Sequence, residues 1–188
     1  MSNYRKESLE KYLEDLAARL PAPGGGSAAA FTAALGASLI SMVVNFTLGK
    51  PKYAKYEKEL EAILSKSEKL RREFLELVDL DVAAYKSRNM RDSLNVPFMV
   101  ARLSFEGIKL CPSLIKKGNV NLISDVAVAA ALLESGFASA CFNVEINLKS
   151  LGDKKISSQM RRELERKGKM LKKIRTETEV KVGKIIRG

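Results

Sequence analysis

No histidine occurs in this chain, so any proton transfer falls to Asp, Glu, Lys, Tyr or water. The stretch LELVDLDVAAY supplies two carboxylates, Asp79 and Asp81. Residues two apart on a helix point about 200° from each other. Asp79 therefore falls with Arg72, Glu76 and Lys86 on a solvated face, while Asp81 falls with Leu70, Phe74, Leu77 and Tyr85 at the edge of an apolar stripe. A carboxylate among apolar groups either has a partner, Arg88 being the nearby cation, or has a raised pKa and suits general acid/base work. A second constellation lies in GNVNLISDVAVAAALLESGFASACFNVEINLKSLGD. On one continuous helix Asp125, Ala129, Leu132, Gly136, Ser139, Asn143 and Asn147 share a face, with Glu134, Glu145 and Lys149 opposite. Inward Asn143 and Asn147 either bond neighbouring backbones or line a polar pocket. Asp125 either joins them or answers the positive end of the helix dipole. The third element is PAPGGGSAAA, with Gly24, Gly25, Gly26 and Ser27 leading into a long run without charge.

These groups must be carried by helices, because no segment reads as a strand. Periodicity predicts six of them. The first spans roughly Tyr4 to Leu20 and the second roughly Ser27 to Leu48, with Ser27 as N-cap. The third runs roughly from Lys52 to Met90, and the fourth begins near Val96-Pro97 and frays before CPSLIKKGN. The fifth runs from Ser124 or Asp125 to about Leu151, and the sixth covers most of the remainder. The expected architecture is all-α: a multi-helical bundle of about six helices around a buried apolar central helix, forming one domain over residues 1–188. The central helix is the second, apolar on every side, with Ala29, Ala33 and Ala37 admitting a close neighbour. Gly24, Gly26 and Ala29 fit G-x-G-x-x-A, but a helix precedes them and no βαβ unit is in sight, so the dinucleotide reading fails. The Walker form fails too, since no G-K-[ST] follows. What remains is backbone N–H groups at a helix start, which either make a tight turn or hold a carboxylate or phosphate.

Composition narrows the function classes. Without histidine there is no Ser-His-Asp triad, Cys-His pair or histidine-ligated zinc, and no metal centre is expected. Two cysteines, Cys111 and Cys141, suit a reducing cytoplasm. The N-terminal segment has no signal-peptide pattern. The charge-free run is long enough to span a bilayer, but its Ala, Ser, Gly and Thr content and Asn45 argue against a membrane. Net charge is +11, and the 40 residues from Lys149 to Gly188 hold 14 basic and 5 acidic ones. Such a tail is either a solvated helix face or a polyanion-binding surface. The former is expected, with no nucleic-acid partner.

Taken together, PAPGGGSAAA…GASLISMVVN, Asp81-Val-Ala-Ala-Tyr, GNVNLISDVAVAAALL and FNVEINLKSLGD resemble one family over nearly the whole chain. It is the cyclodeaminase part of formiminotransferase-cyclodeaminase, together with the similar stand-alone methenyltetrahydrofolate cyclohydrolases. The resemblance implies a homodimer acting on a small-molecule tetrahydrofolate derivative, with no permanently bound cofactor and no metal. It implies cyclodeaminase activity first (5-formiminotetrahydrofolate to 5,10-methenyltetrahydrofolate and ammonia) and cyclohydrolase second (methenyl compound plus water to 10-formyltetrahydrofolate). A non-catalytic folate- or polyanion-binding protein on the same fold is the alternative. By the same resemblance Asp81 is the acid/base. Gly24, Gly25, Gly26 and Ser27, together with the segment Asn121 to Asp125, would line the folate site, and Asn143 and Asn147 would join them. The basic tail would then suit the polyglutamate chain of a folate. Family members usually carry a longer segment between the Asp81 motif and Val96-Pro97, where this chain has only KSRNMRDSLN.

Overall fold

A computed structural model describes residues 3–188, and among them there is no strand. A short 3-10 turn, Tyr4–Lys6, precedes α1, Leu9–Ala17, whose start is capped by the Ser8 side chain accepting from the Lys11 N–H. Then follow α2 (Gly25–Asn45), a 3-10 segment (Pro51–Tyr56) and α3 (Glu57–Ser87). The rest is α4 (Met90–Ile108), α5 (Cys111–Lys117), a 3-10 turn (Val120–Leu122), α6 (Ile123–Leu151) and α7 (Lys154–Arg187). The six expected helices are present, and CPSLIKKGN, before which the fourth was expected to fray, forms the additional short α5.

The centre of the bundle is the antiparallel pair α2 and α6, flanked by α3 and α4. Small residues set its spacing. A Cβ on Gly36 would stand 2.8 Å from Leu133 Cγ, and one on Gly136 would stand 2.9 Å from the Ala33 Cβ. With no side chains in the way, the two backbones approach closely and Ile40, Val43, Val44 and Leu133 are sealed from water. Each such side chain contributes about 1.5–3 kcal/mol. On α3 the stripe Leu60, Ile63, Leu70, Phe74, Leu77 and Val78 faces this pair. The Ser41 and Ser67 hydroxyls meet there at 2.8 Å, while Ser38 bonds back to the Ala34 carbonyl at 2.8 Å. These two hydroxyls of α2 are thus spent inside the bundle.

Two helices, α2 and the one ending at Leu151, are long and apolar enough to cross a membrane by length and composition. Here they pack on one another. Yet α2 is not enclosed as a central helix should be: Leu35 and Phe46 lie exposed on one arc. The outer face of α6 is also open. The basic α7 buries Leu164, Leu171 and Val182 and turns its charges outward. Several are paired, as in Arg161 with Glu145 and Lys169 with Glu165.

Helix α4 starts six residues earlier than expected. Asn89 caps it, its side-chain oxygen accepting from the N–H groups of Arg91 and Asp92 at 3.0 and 3.3 Å. Arg88 takes the left-handed conformation with φ 54° that closes the short α3–α4 turn. Pro97 therefore sits inside the helix, where it has no N–H to give the Ser93 carbonyl. The Asn147 amide, on α6, donates to that carbonyl instead.

Candidate functional site

The glycines begin α2 rather than precede it. Gly24 is the N-cap in extended backbone, and Ser27, expected at that position, is the third residue of the helix. Its N–H is one of the first four in a helix, which have no acceptor within it. Asp81, projecting from α3, supplies one: Ser27 N–H donates to Asp81 Oδ2 at 2.8 Å. A carboxylate brought in from a different helix thus caps α2. Gly26 makes the approach possible, since a Cβ there would lie 2.1 Å from Asp81 Oδ1. Gly25 faces α6, where a Cβ would meet the Asn143 side chain at 3.4 Å. The N–H groups of Gly25 and Gly26 likewise have no acceptor within the helix, so they point at whatever occupies this end.

Asp81 is half-buried, and Arg88 is no partner to it: Arg88 is exposed in the turn. Burial pushes the Asp81 carboxyl above the ordinary range, with the Ser27 N–H pulling it back in part. Tyr12 adds an unforeseen member. Its hydroxyl lies 3.2 Å from Ser27 Oγ, and its ring packs against Phe31 at 5.3 Å and edge-on to Tyr4 at 5.5 Å. Burial raises the Tyr12 pKa, and the Asp81 charge adds to that rise. Leu9, Tyr12, Leu13 and Leu16 recur at helical spacing in the sequence, which does not single Tyr12 out. Leu9 and Leu13 are exposed, Tyr12 is buried, and Leu16 packs partly buried against the core. The available signal was a lone phenol on an apolar stripe just before a Pro/Gly break that folds the chain back.

The other expected residues divide. Asn143 belongs to this end, its amide donating to the Ser139 carbonyl at 3.0 Å and its side chain beside Gly25. Asn147 lies one turn on, occupied with Ser93. Asn121 and Asp125 are elsewhere: the neighbouring Asn119 donates its amide to the Phe46 carbonyl at 3.2 Å, at the far end of α2. The rise of α2 from Gly25 to Phe46 is about 31 Å. Asp79 is not the free surface charge expected of it. It is half-buried and pairs with Arg5 at 3.4 Å beside a cleft of 510 Å³ on the side of α3 turned away from Asp81.

The all-helical bundle thus sets a half-buried carboxyl against the N–H groups at the start of a helix. A model of the formiminotransferase-cyclodeaminase family matches residues 8–90 and 86–166, two segments that meet at the short α3–α4 turn. A methenyltetrahydrofolate cyclohydrolase from Methylorubrum extorquens is 36% identical, with 85% of this chain and 88% of that protein covered. Rat formimidoyltransferase-cyclodeaminase is 31% identical over 78% of this chain, which spans only 31% of that longer protein. The crystal structure of formiminotetrahydrofolate cyclodeaminase from Thermotoga maritima superposes with a TM-score of 0.91 at 28% identity, covering 97% of this chain and 99% of that one. The chain belongs to the formiminotransferase-cyclodeaminase family, and it is an enzyme of the cyclodeaminase and cyclohydrolase kind.

Proposed function

We propose that the protein works on the single carbon bridging N5 and N10 of tetrahydrofolate, as a methenyltetrahydrofolate cyclohydrolase. The observation that carries this choice is the 36% identity to a cyclohydrolase of comparable length. It reverses the order drawn from the motifs alone. Water adds to the electrophilic methenyl carbon, and Asp81 takes its proton. A tetrahedral carbon forms, and Asp81 returns the proton to N5 as the N5–carbon bond breaks, while the hydroxyl proton leaves to solvent and the C=O forms, giving 10-formyltetrahydrofolate. A carboxyl whose pKa is raised by burial suits both halves of this exchange. The N–H groups of Gly25 and Gly26 and the Asn143 amide hold the substrate beside it. No bound cofactor takes part, and the homodimer is the working unit.

The structural likeness to a formiminotetrahydrofolate cyclodeaminase supports a second reading. There N10 attacks the formimino carbon, and Asp81 protonates the departing ammonia. Both reactions share one carbon and one carboxyl. A paired near-ultraviolet assay separates them. Decay of the methenyl chromophore above the spontaneous rate is expected for the cyclohydrolase. Its appearance from 5-formiminotetrahydrofolate is expected for the cyclodeaminase. Asp81→Asn should abolish either; turnover unchanged in that variant would remove Asp81 from the mechanism.

A further inference from the structure

Tyr12 touches α2 at two points one turn apart: its ring packs on Phe31, and its hydroxyl reaches Ser27. Tyr4 packs edge-on against the same ring, and its own hydroxyl donates to Asp15 at 3.0 Å. Tyr12 is 5% exposed, and Ser27 is sealed from water. Two hydroxyls buried on facing helices are costly unless they are bonded, and a phenylalanine at position 12 would pack without that demand.

Two other hydroxyls of α2 show what Ser27 lacks. Thr32 donates to the Ala28 carbonyl at 2.9 Å and Ser38 to the Ala34 carbonyl at 2.8 Å, each four residues back. Four residues before Ser27 is Pro23, which precedes the helix. No such back-bond forms, and among the described residues the Ser27 hydroxyl bonds only with Tyr12. A strong acceptor is close at hand in Asp81, which takes the N–H of the same residue at 2.8 Å. Yet the backbone N–H is the only part of Ser27 that bonds to that carboxyl.

The surrounding titratable and charged groups are committed or exposed. Helix α2 carries no charge, and α6 brings the neutral Asn143 beside Gly25. On α1, Asp15 is spent on Lys11 and Tyr4, while Glu10 and Glu14 are exposed. On α3, Asp79 and Lys86 line the cleft turned away from Asp81, and Tyr85 is exposed. Arg88 in the turn and Arg91 and Asp92 on α4 are exposed as well.

We propose that Tyr12 is a positioning residue for Asp81 and acts through Ser27: by engaging the Ser27 hydroxyl, it leaves the carboxyl with the Ser27 N–H alone. A second donor would favour the anion and offset the burial that makes this carboxyl hold its proton. Without the phenol, the Ser27 hydroxyl has neither water nor a back-bond, and it turns to Asp81. The consequence for turnover rests on the folate reading above; the consequence for titration does not.

The NMR resonance of the Asp81 carboxyl carbon, assigned by its loss in Asp81→Asn, is followed against pH in the full chain. Tyr12→Phe keeps the ring and should lower the midpoint by about one pH unit, the worth of one hydrogen bond to a charged group. Ser27→Ala keeps the backbone N–H and should leave the midpoint near that of wild type. The double variant Tyr12→Phe/Ser27→Ala should return to the same place, since no hydroxyl is left to turn. Lost packing would not be repaired by a second truncation, so this rescue separates positioning from a structural role. A midpoint unmoved or raised in Tyr12→Phe, or still lowered in the double variant, overturns the proposal. Turnover tests the folate reading separately: the acid limb of the kcat profile of Tyr12→Phe should follow the titration, with KM little changed. A limb that stays while the midpoint moves supports the role of Tyr12 and removes Asp81 from the proton transfer, so that the folate reading alone fails.

Discussion

The Gly26→Ala substitution puts the whole reading of the site under strain from one methyl group. A Cβ at this position would stand 2.1 Å from Asp81 Oδ1, 2.7 Å from Cγ and 3.0 Å from Oδ2. To restore a tolerable contact the carboxyl must retreat by about 1 Å. Its bond to the Ser27 N–H, now 2.8 Å, is then lost. A hydrogen bond to a charged group is worth about 1.5–3 kcal/mol. Alanine in place of glycine returns about 0.5–1 kcal/mol of helix stability. The net cost should be about 1–2 kcal/mol by urea melting. In an Asp81→Ala background nothing stands in the way of the new methyl, so the same change should stabilise by about 0.5–1 kcal/mol. A change of sign is the signature of a specific contact. Turnover of Gly26→Ala should fall about 100-fold, the usual effect of a 1 Å misplacement. Gly36→Ala serves as comparison, because it crowds Leu133 and costs stability without touching Asp81. Equal costs of Gly26→Ala in both backgrounds, or wild-type turnover, would show that Asp81 does not depend on this approach.

Three other outcomes follow from the same coordinates. The folded state holds the Asp81 proton to higher pH than the unfolded chain, so its stabilising contribution is present below the ordinary carboxylate pKa of about 3.9 and is lost as pH rises through the raised folded value. Melting of wild type relative to Asp81→Asn should therefore weaken from about pH 4 upward; a difference that is flat, or that grows with pH, contradicts the buried-carboxyl account. Burial pushes the Cys111 thiol up to about 12, and burial with Glu145 takes Cys141 to about 11, so neither should react with a disulfide reagent at pH about 8 until the chain is unfolded. Rapid modification of the native protein would show one of them to be open. Asn147→Leu leaves the Ser93 carbonyl without a donor and should cost about 1–3 kcal/mol, and Pro97→Ala should recover most of it by restoring the missing N–H. Equal losses with and without Pro97 would mean that the amide acts elsewhere.

Helix type was legible because apolar spacing is a local property; helix ends were not, because remote side chains decide them. The sequence placed the start of α2 at Ser27, the nearest residue able to cap it. The true cap of the Ser27 N–H comes from Asp81, 54 positions along the chain. The start of α4 was read at Pro97, where a proline usually begins a helix. Asn147 removes the penalty from 50 residues further on, and Asn89 starts the helix earlier. The wheel that turned Asp81 inward and Asp79 away held for direction. It could not say that Asp81 would face backbone N–H groups instead of Arg88, or that Asp79 would find Arg5 on another segment. Tyr12 escaped for the same reason: its role depends on a chain reversal that returns α1 to the start of α2. Asn121 and Asp125 were grouped with the glycines by motif, and the length of α2 separates them.

Two of the three glycines admit a physical explanation that needs no phosphate. Gly26 yields to a carboxylate and Gly25 lies beside an amide, so the space a side chain would fill is taken by Asp81 and Asn143. That arrangement puts opposing demands on Asp81. As a cap of the Ser27 N–H it is favoured as an anion; as a half-buried group it is favoured as an acid, and burial wins. A carboxyl so balanced keeps its place through the hydrogen bond in its charged form and accepts a proton more readily than a solvated one. The proposed transfer of a proton from water to N5 would use both properties. The same balance explains why a plain capping residue from α2 itself would not serve. A serine at the N-cap would satisfy the helix start and leave no titrating group there.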